Sequence, residues 1–217
     1  MRLIEIKILA IIYLSIGLVS YLIGSIPAGY LVGRLRGIDI RKAGSGNIGA
    51  TNVLRVMGRP FGYVVFLFDF LKGVGAVVLS AFILNRTGFV HPETELVGIA
   101  AGVLSVIGHV YPVWLGFKGG KGVATSVGVL FGLMPIAGVT VMVVWLIVYQ
   151  TTKYVSVASI AAAVALPLTA AGMFYLEKTK SLALVYFSIC LAVMIIWRHR
   201  SNISRLSKGT EQNFKRR

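Results

Sequence analysis

The chain has 217 residues, 57% of them hydrophobic and only 13% charged, where an ordinary soluble domain carries roughly 25% charged residues. Twenty-two Lys and Arg stand against seven Asp and Glu, a formal net charge of +15. So little polar surface, with the apolar residues gathered in long runs, excludes a soluble enzyme, a disordered tail and a secreted disulfide scaffold. It points instead to an all-α polytopic membrane protein.

Apolar runs near the ~20 residues that cross a hydrocarbon core fall at 8–32, 61–84, 96–115, 123–149, 155–175 and 181–197. The first follows the stretch Met1–Ile8 and reads as a span, not a cleaved leader. Six crossings would put two strongly basic segments on opposite faces. One is the connection 34–60, with Arg34, Arg36, Arg41, Lys42, Arg55 and Arg59. The other is the tail, with Arg198, Arg200, Arg205, Lys208, Lys215, Arg216 and Arg217. A seventh crossing removes that conflict with the positive-inside rule. The fourth run supplies it: 27 residues make roughly 40 Å of straight helix, and the run contains Gly132-Leu133-Met134-Pro135. Proline removes a backbone donor and disfavours helix in the residue before it. A short helix from Val123, a break, and a second helix to Tyr149 are predicted; a single proline-kinked helix is the alternative.

With seven crossings, sixteen Lys/Arg lie inside, five outside (Arg2, Lys7, Arg86, Lys178, Lys180), and Lys72 within a span. The N-terminus is then external, and the C-terminus and both glycine-rich connections are cytoplasmic. With no internal repeat, residues 1–217 read as one integral membrane domain. The basic residues cluster between apolar runs, where lipid headgroups and anionic substrates act, so nucleic acid is not expected as a partner. Cys190 alone excludes an internal disulfide, and His91, His109 and His199 offer no metal cluster. Neither a cofactor nor an obligate protein partner is expected.

The first connection holds Gly44-Ser45-Gly46-Asn47-Ile48-Gly49-Ala50-Thr51-Asn52, then Arg55. The dinucleotide-binding spacing of its glycines fails, because a membrane span precedes it instead of a strand. What remains is either a polar capped turn or an anion site. In the second case glycine-exposed amides, the neutral donors Ser45, Asn47, Thr51 and Asn52, and the planar fork of Arg55 would meet a phosphate. The second connection runs from Gly108-His109-Val110-Tyr111-Pro112 to Phe117-Lys118-Gly119-Gly120-Lys121-Gly122-Val123-Ala124-Thr125. It is not a Walker loop, since Leu115 and Gly122 occupy the required Gly and Ser/Thr places. Gly119, Gly120, Lys121 and Gly122 opening a helix nevertheless present amides, a positive dipole end and an ammonium together; a plain interhelical turn is the alternative. His109 by itself reads as an interfacial histidine.

The third segment is Arg198-His199-Arg200-Ser201-Asn202-Ile203-Ser204-Arg205-Leu206. If it is helical, His199 and Asn202 share a face at i, i+3; as a basic stop-transfer tail it would hold lipid phosphates. Asp69 and Lys72, also i, i+3 and inside an apolar run, are expected to pair, either structurally or at a polar interior. His91, Glu93 and Glu95 read as solvated outer residues.

Together the three segments resemble the bacterial acyl-phosphate:glycerol-3-phosphate acyltransferases, the PlsY family, over nearly the whole chain. That resemblance implies seven spans, an external N-terminus and three cytoplasmic motifs. It implies transfer of a fatty acyl group from acyl phosphate to the 1-hydroxyl of glycerol 3-phosphate, giving lysophosphatidic acid and phosphate at the bacterial inner membrane. Carried over position by position, Ser45, Arg55, Lys121, His199 and Asn202 would contact glycerol 3-phosphate, with Ser45, Lys121, His199 and Asn202 central to catalysis. Asn47, Thr51, Asn52, Gly119, Gly120, Lys121 and Gly122 would hold acyl phosphate, whose chain would be reached from the membrane lipids. Ser201 stands where the family often has an acid. No His-x4-Asp pair occurs, so the dyad of the other large acyltransferase class is absent. The rival readings are a transporter of phosphate or organic anions, which buried charge and a broken helix would suit, and a non-catalytic lipid-binding protein.

Overall fold

The computed structural model describes residues 3–87, 94–179 and 181–214. Arg2, His91, Glu93, Lys180, Lys215, Arg216 and Arg217 of the expectations above lie outside the described residues. Among the described residues every regular element is helical: α1 Leu3–Ser25, α2 Ala28–Leu35, α3 Ala50–Met57, α4 Arg59–Arg86, α5 Thr94–Val110, α6 Val123–Leu133, α7 Pro135–Thr152, α8 Val155–Tyr175, α9 Leu182–Arg198 and α10 Arg200–Ser207, with two short 3-10 turns at Ile40–Lys42 and Val113–Leu115.

Among the described residues, five helical segments are long and apolar enough to cross a membrane: Ile4–Leu35, Arg59–Arg86, Thr94–Leu115, Pro135–Thr152 and Val155–Tyr175. A sixth is added if Leu182–Arg198 and Arg200–Ser207, bent by 53°, count as one span. The remaining apolar helix, α6, has 11 residues, roughly 16 Å, or about half a hydrocarbon core. The break ahead of Pro135 lies where the proline predicted it. Met134 has φ −143 and ψ 71, and Pro135 opens α7, where its missing N–H costs nothing. A second break was not expected: Ile26 and Pro27 divide α1 from α2, with Pro27 at φ −90 and ψ 72.

The chain forms two compact units, residues 1–133 and 134–217. In the first, α1 packs along α5 and α4 along α6 through small residues. A methyl on Gly24 or Gly108 would overlap the backbones of Ser105 and Tyr21, and one on Gly73 or Gly128 those of Thr125 and Phe70. Such close approach is how helices associate where lipid gives no hydrophobic drive between them. In the second unit α7 turns back into α8 through Lys153 in the left-handed region (φ 61, ψ 11). α8 then carries α9, and the Trp145 indole donates to Ser159 Oγ at 3.2 Å. Outward positions are strongly apolar, as Leu14 at 75% exposure and Leu168 at 71% show. A soluble monomer does not present such a belt, whereas lipid solvates it.

Candidate functional site

Residues 43–49 form a loop held from within by the Asn52 and Asn47 side chains. Asn52, in the first turn of α3 and 2% exposed, accepts from the Ser45 amide at 2.8 Å. Its Nδ2 donates to the carbonyls of Ile40, Ala43 and Asn47 at 3.2, 3.0 and 2.9 Å. Asn47 Oδ1 accepts from the Gly49 amide at 2.8 Å, and the Gly46 amide donates to Ala43 O. Gly44 sits at φ 60, and a methyl there would overlap the Asn52 amide; glycine meets both constraints. Around this frame Ser45 is exposed, while Asn47, Thr51 and Arg55 are half-buried. Thr51 and Arg55, four apart on α3, share a face. Two of the basic residues ahead of the loop have partners there. Arg41 binds Asp39 at 2.8 Å and stacks over Tyr30, and Arg36 lies over Phe61. The Arg41 hydrogen bond holds the Asp39 carboxyl down at about 2.

The second loop differs from expectation. The Gly119 and Gly120 amides donate to the carbonyls of Val110 and His109 at 3.1 and 3.0 Å, closing the end of α5. They are therefore not open to an anion, which corrects that part of the sequence reading. Glycine is needed at both places because the loop lies directly on α5: a methyl at 119 would overlap the His109 carbonyl, and one at 120 the His109 ring. Gly122, at φ 81, turns the chain into α6, and its carbonyl accepts from the Ser126 amide at 2.8 Å. The donors left for an anion are the opening amides of α6, which have no carbonyl one turn back. Lys121 is adjacent in sequence.

Beneath this loop lies a buried charge cluster. Lys72 Nζ is 2.8 Å from Asp69 Oδ1, as the i, i+3 spacing predicted, and it also donates at 3.1 Å to the Ile26 carbonyl in the α1–α2 break. His109 Nδ1 lies 3.4 Å from the same Asp69 oxygen. Ser105 Oγ donates to the Lys72 carbonyl at 3.3 Å. Asp69, Lys72 and His109 are all buried, and the Asp69–Lys72 ion pair lies within the first unit.

In the second unit His199 stands at the bend between α9 and α10, with φ −95 and ψ 5, not inside one continuous helix. Its Nδ1 bonds to the Ile195 carbonyl at 2.8 Å. A carbonyl only accepts, so Nδ1 carries a hydrogen; in a neutral ring Nε2 is then the accepting nitrogen. Asn202, in the first turn of α10 and 6% exposed, donates to Glu211 Oε1 at 2.6 Å. Ser156 Oγ reaches the same oxygen at 2.9 Å, and Arg205 Nε the other at 2.6 Å. Burial raises the Glu211 pKa, but the hydrogen bonds from Asn202, Arg205 and Ser156 outweigh it, leaving the carboxyl below its ordinary 4.5. Sequence reasoning missed Glu211. The signal was present: it is the one acid after Glu177 in a tail otherwise basic.

Apolar helices of spanning length with lipid-facing apolar positions define a multi-pass helical membrane protein. The chain belongs to the glycerol-3-phosphate acyltransferase family, whose model matches residues 14–209. It is 44% identical over 197 residues to the glycerol-3-phosphate acyltransferase of Geobacter sulfurreducens, covering 91% of this chain and 95% of that one. It is also similar to crystal structures of PlsY (YgiH), an integral membrane glycerol 3-phosphate acyltransferase. The glycerol 3-phosphate form has a TM-score of 0.82 at 38% identity, covering 94% of this chain and 96% of that one. The lysophosphatidic acid form has a TM-score of 0.80 at the same identity, with 94% and 95% coverage.

Proposed function

We propose that this protein transfers a fatty acyl group from acyl phosphate to the 1-hydroxyl of glycerol 3-phosphate, in phospholipid synthesis at the bacterial inner membrane. The observation that carries the reading is the chain-long likeness to a relative crystallised in glycerol 3-phosphate and lysophosphatidic acid forms. Those two molecules are a substrate and a product of this reaction. In this reading the chain is an acyltransferase with seven crossings, α6 being the short one. The N-terminus is external, and the three motifs and the C-terminus are cytoplasmic.

An acyl phosphate is a mixed anhydride, already activated, so positioning and charge neutralisation suffice. The 1-hydroxyl oxygen attacks the acyl carbonyl, the bond from that carbon to the phosphate oxygen breaks, and the departing phosphate takes the hydroxyl proton. Lys121 and the opening amides of α6 stabilise the phosphate as it leaves. Asn47, Thr51 and Gly122 hold the acyl phosphate, and Ser45, Arg55, His199 and Asn202 bind the acceptor, with Lys121 serving both substrates. Asn52, Gly119 and Gly120 support the same loops through the bonds described above, acting on the substrate through the backbone.

The test is purified protein in detergent or lipidic phase with acyl phosphate and glycerol 3-phosphate, assayed for lysophosphatidic acid. Product from the parent, lost in Lys121→Ala, is expected. Substrates left unmodified would overturn the reading in favour of transport or simple binding. Normal turnover of folded Lys121→Ala would remove its charge-neutralising role. A residual rate with a shifted pH optimum in His199→Ala would make His199 the base in place of the departing phosphate.

A further inference from the structure

The loop that carries Lys121 does not hold itself. Its two glycine amides bond to the carbonyls of His109 and Val110, and Gly120 lies so close to the His109 ring that a methyl there would overlap Nε2. His109 is therefore joined to the loop twice, through its carbonyl and through its ring. The opposite ring nitrogen faces Asp69 at 3.4 Å, and the same carboxylate oxygen accepts from Lys72 at 2.8 Å. Lys72 in turn reaches the Ile26 carbonyl, and its own carbonyl accepts from Ser105 on α5. One connected set of polar contacts thus runs from the α1–α2 break through α4 and α5 to residues 119–122.

A charge pair buried at this depth is costly to maintain in a span, and a matched apolar pair of similar volume would often serve stability as well. Its position argues for more than stability: it is one contact away from the backbone that presents Lys121. We infer that Asp69 and His109 are positioning residues, which fix the backbone of residues 119–122 and thereby set Lys121 and the start of α6 for the phosphate of the acyl donor. Neither touches the reacting atoms. This rests on the assignment of that loop to acyl phosphate. Misplacing a binding group by about 1 Å can cost on the order of 100-fold, so loosening the ring should appear first in the donor's KM.

The experiment measures kcat, both KM values and the melting temperature of purified full-length variants in one detergent. In His109→Asn, an amide nitrogen keeps the Nδ1 place toward Asp69 and the ring leaves Gly120. The KM for acyl phosphate should rise on the order of 10–100-fold, with smaller changes in kcat and in the KM for glycerol 3-phosphate. Gly120→Ala should raise the same KM in the parent but add nothing in the His109→Asn background, where the methyl has room. Asp69→Asn leaves a buried ammonium unpaired and can unfold the chain, so Asp69→Asn/Lys72→Met, which removes both charges, is the second variant. It should reproduce the donor KM increase. Parental donor KM in His109→Asn and Gly120→Ala would overturn the inference, as would equal losses in every kinetic constant. Lys121→Ala separates the two levels. If it loses turnover while His109→Asn stays parental, only the positioning role falls; if Lys121→Ala itself is parental, the phosphate assignment falls with it.

Discussion

Glu211 is the residue whose removal should most change the second unit. Its carboxylate gathers the Asn202 amide, the Ser156 hydroxyl and the Arg205 guanidinium within 2.6, 2.9 and 2.6 Å. In Glu211→Ala two buried donors, on Asn202 and Ser156, lose their acceptor at about 1–3 kcal/mol each. Arg205 is 40% exposed, so loss of its ion pair adds no more than ~1 kcal/mol. A total near 2–7 kcal/mol corresponds, at roughly 2–4 °C per kcal/mol for a chain of this length, to a melting point lower by about 4–28 °C. Glu211→Gln keeps one oxygen acceptor for Asn202 and Ser156, and should lose about half as much. Intrinsic fluorescence melting in a single detergent gives the comparison, and activity at a temperature where every variant is folded isolates the effect on Asn202. A Glu211→Ala melting point equal to the parent's would refute the reasoning.

The pH dependence has a fixed sign. The folded pKa of Glu211 lies below its ordinary 4.5, so the stability it contributes is present above that value. It declines as pH falls through the folded pKa. The parent should therefore lose part of its melting-point advantage over Glu211→Gln as pH is lowered below 4.5, and the gap should be constant above it.

Other perturbations test the first unit. Asn52→Asp removes both Nδ2 hydrogens and sets a carboxylate against the Ile40, Ala43 and Asn47 carbonyls; it should cost about 3 kcal/mol or more and raise the KM of any substrate bound by the 43–49 loop, read by melting and kinetics together. Gly73→Leu forces a side chain into the Thr125 backbone, and should abolish accumulation of folded protein on size-exclusion chromatography. Arg55→Lys keeps the charge but loses the planar fork; the KM for glycerol 3-phosphate should rise while the melting point stays near the parent's.

How much of this was legible follows from distance along the chain. The apolar helices of spanning length, five among the described residues, and the helix break at Pro135 were readable because hydropathy and proline act within a turn or two. The Asp69–Lys72 pair was readable from i, i+3 spacing. What a sequence reading could not supply were partners set by tertiary packing: Ile26 offering its carbonyl to Lys72 across 46 residues, His109 meeting Asp69, and Glu211 reaching Ser156 across 55. Local patterns also misled where they carried two meanings. Gly119 and Gly120 look like an open phosphate cradle, yet the absence of a Cβ there answers the close approach of α5. The polar run at 44–52 looks like a row of ligand donors, yet Asn52 serves the loop backbone. The Ile26–Pro27 break had its own signal in Pro27, but the run around it is so apolar that it read as one unbroken span.

Those two misreadings share a physical cause that bears on how the protein works. A loop that binds phosphate at a membrane face must keep its donors oriented without the support of a surrounding soluble core. In the proposed reading the orientation comes from below, through side chains and carbonyls that bond to the loop backbone. Asn52 gathers three carbonyls under one loop, and His109, backed by Asp69 and Lys72, sits under the other. Preorganisation of this kind reduces the ordering cost at binding, and it concentrates apparent importance in residues that are silent in any list of ligand contacts. A substitution scan that sorted variants by loss of activity alone would place Asn52, Gly120 and Lys121 in one class. Measuring KM, kcat and melting temperature together separates a residue proposed to meet the phosphate from those proposed to hold it in place.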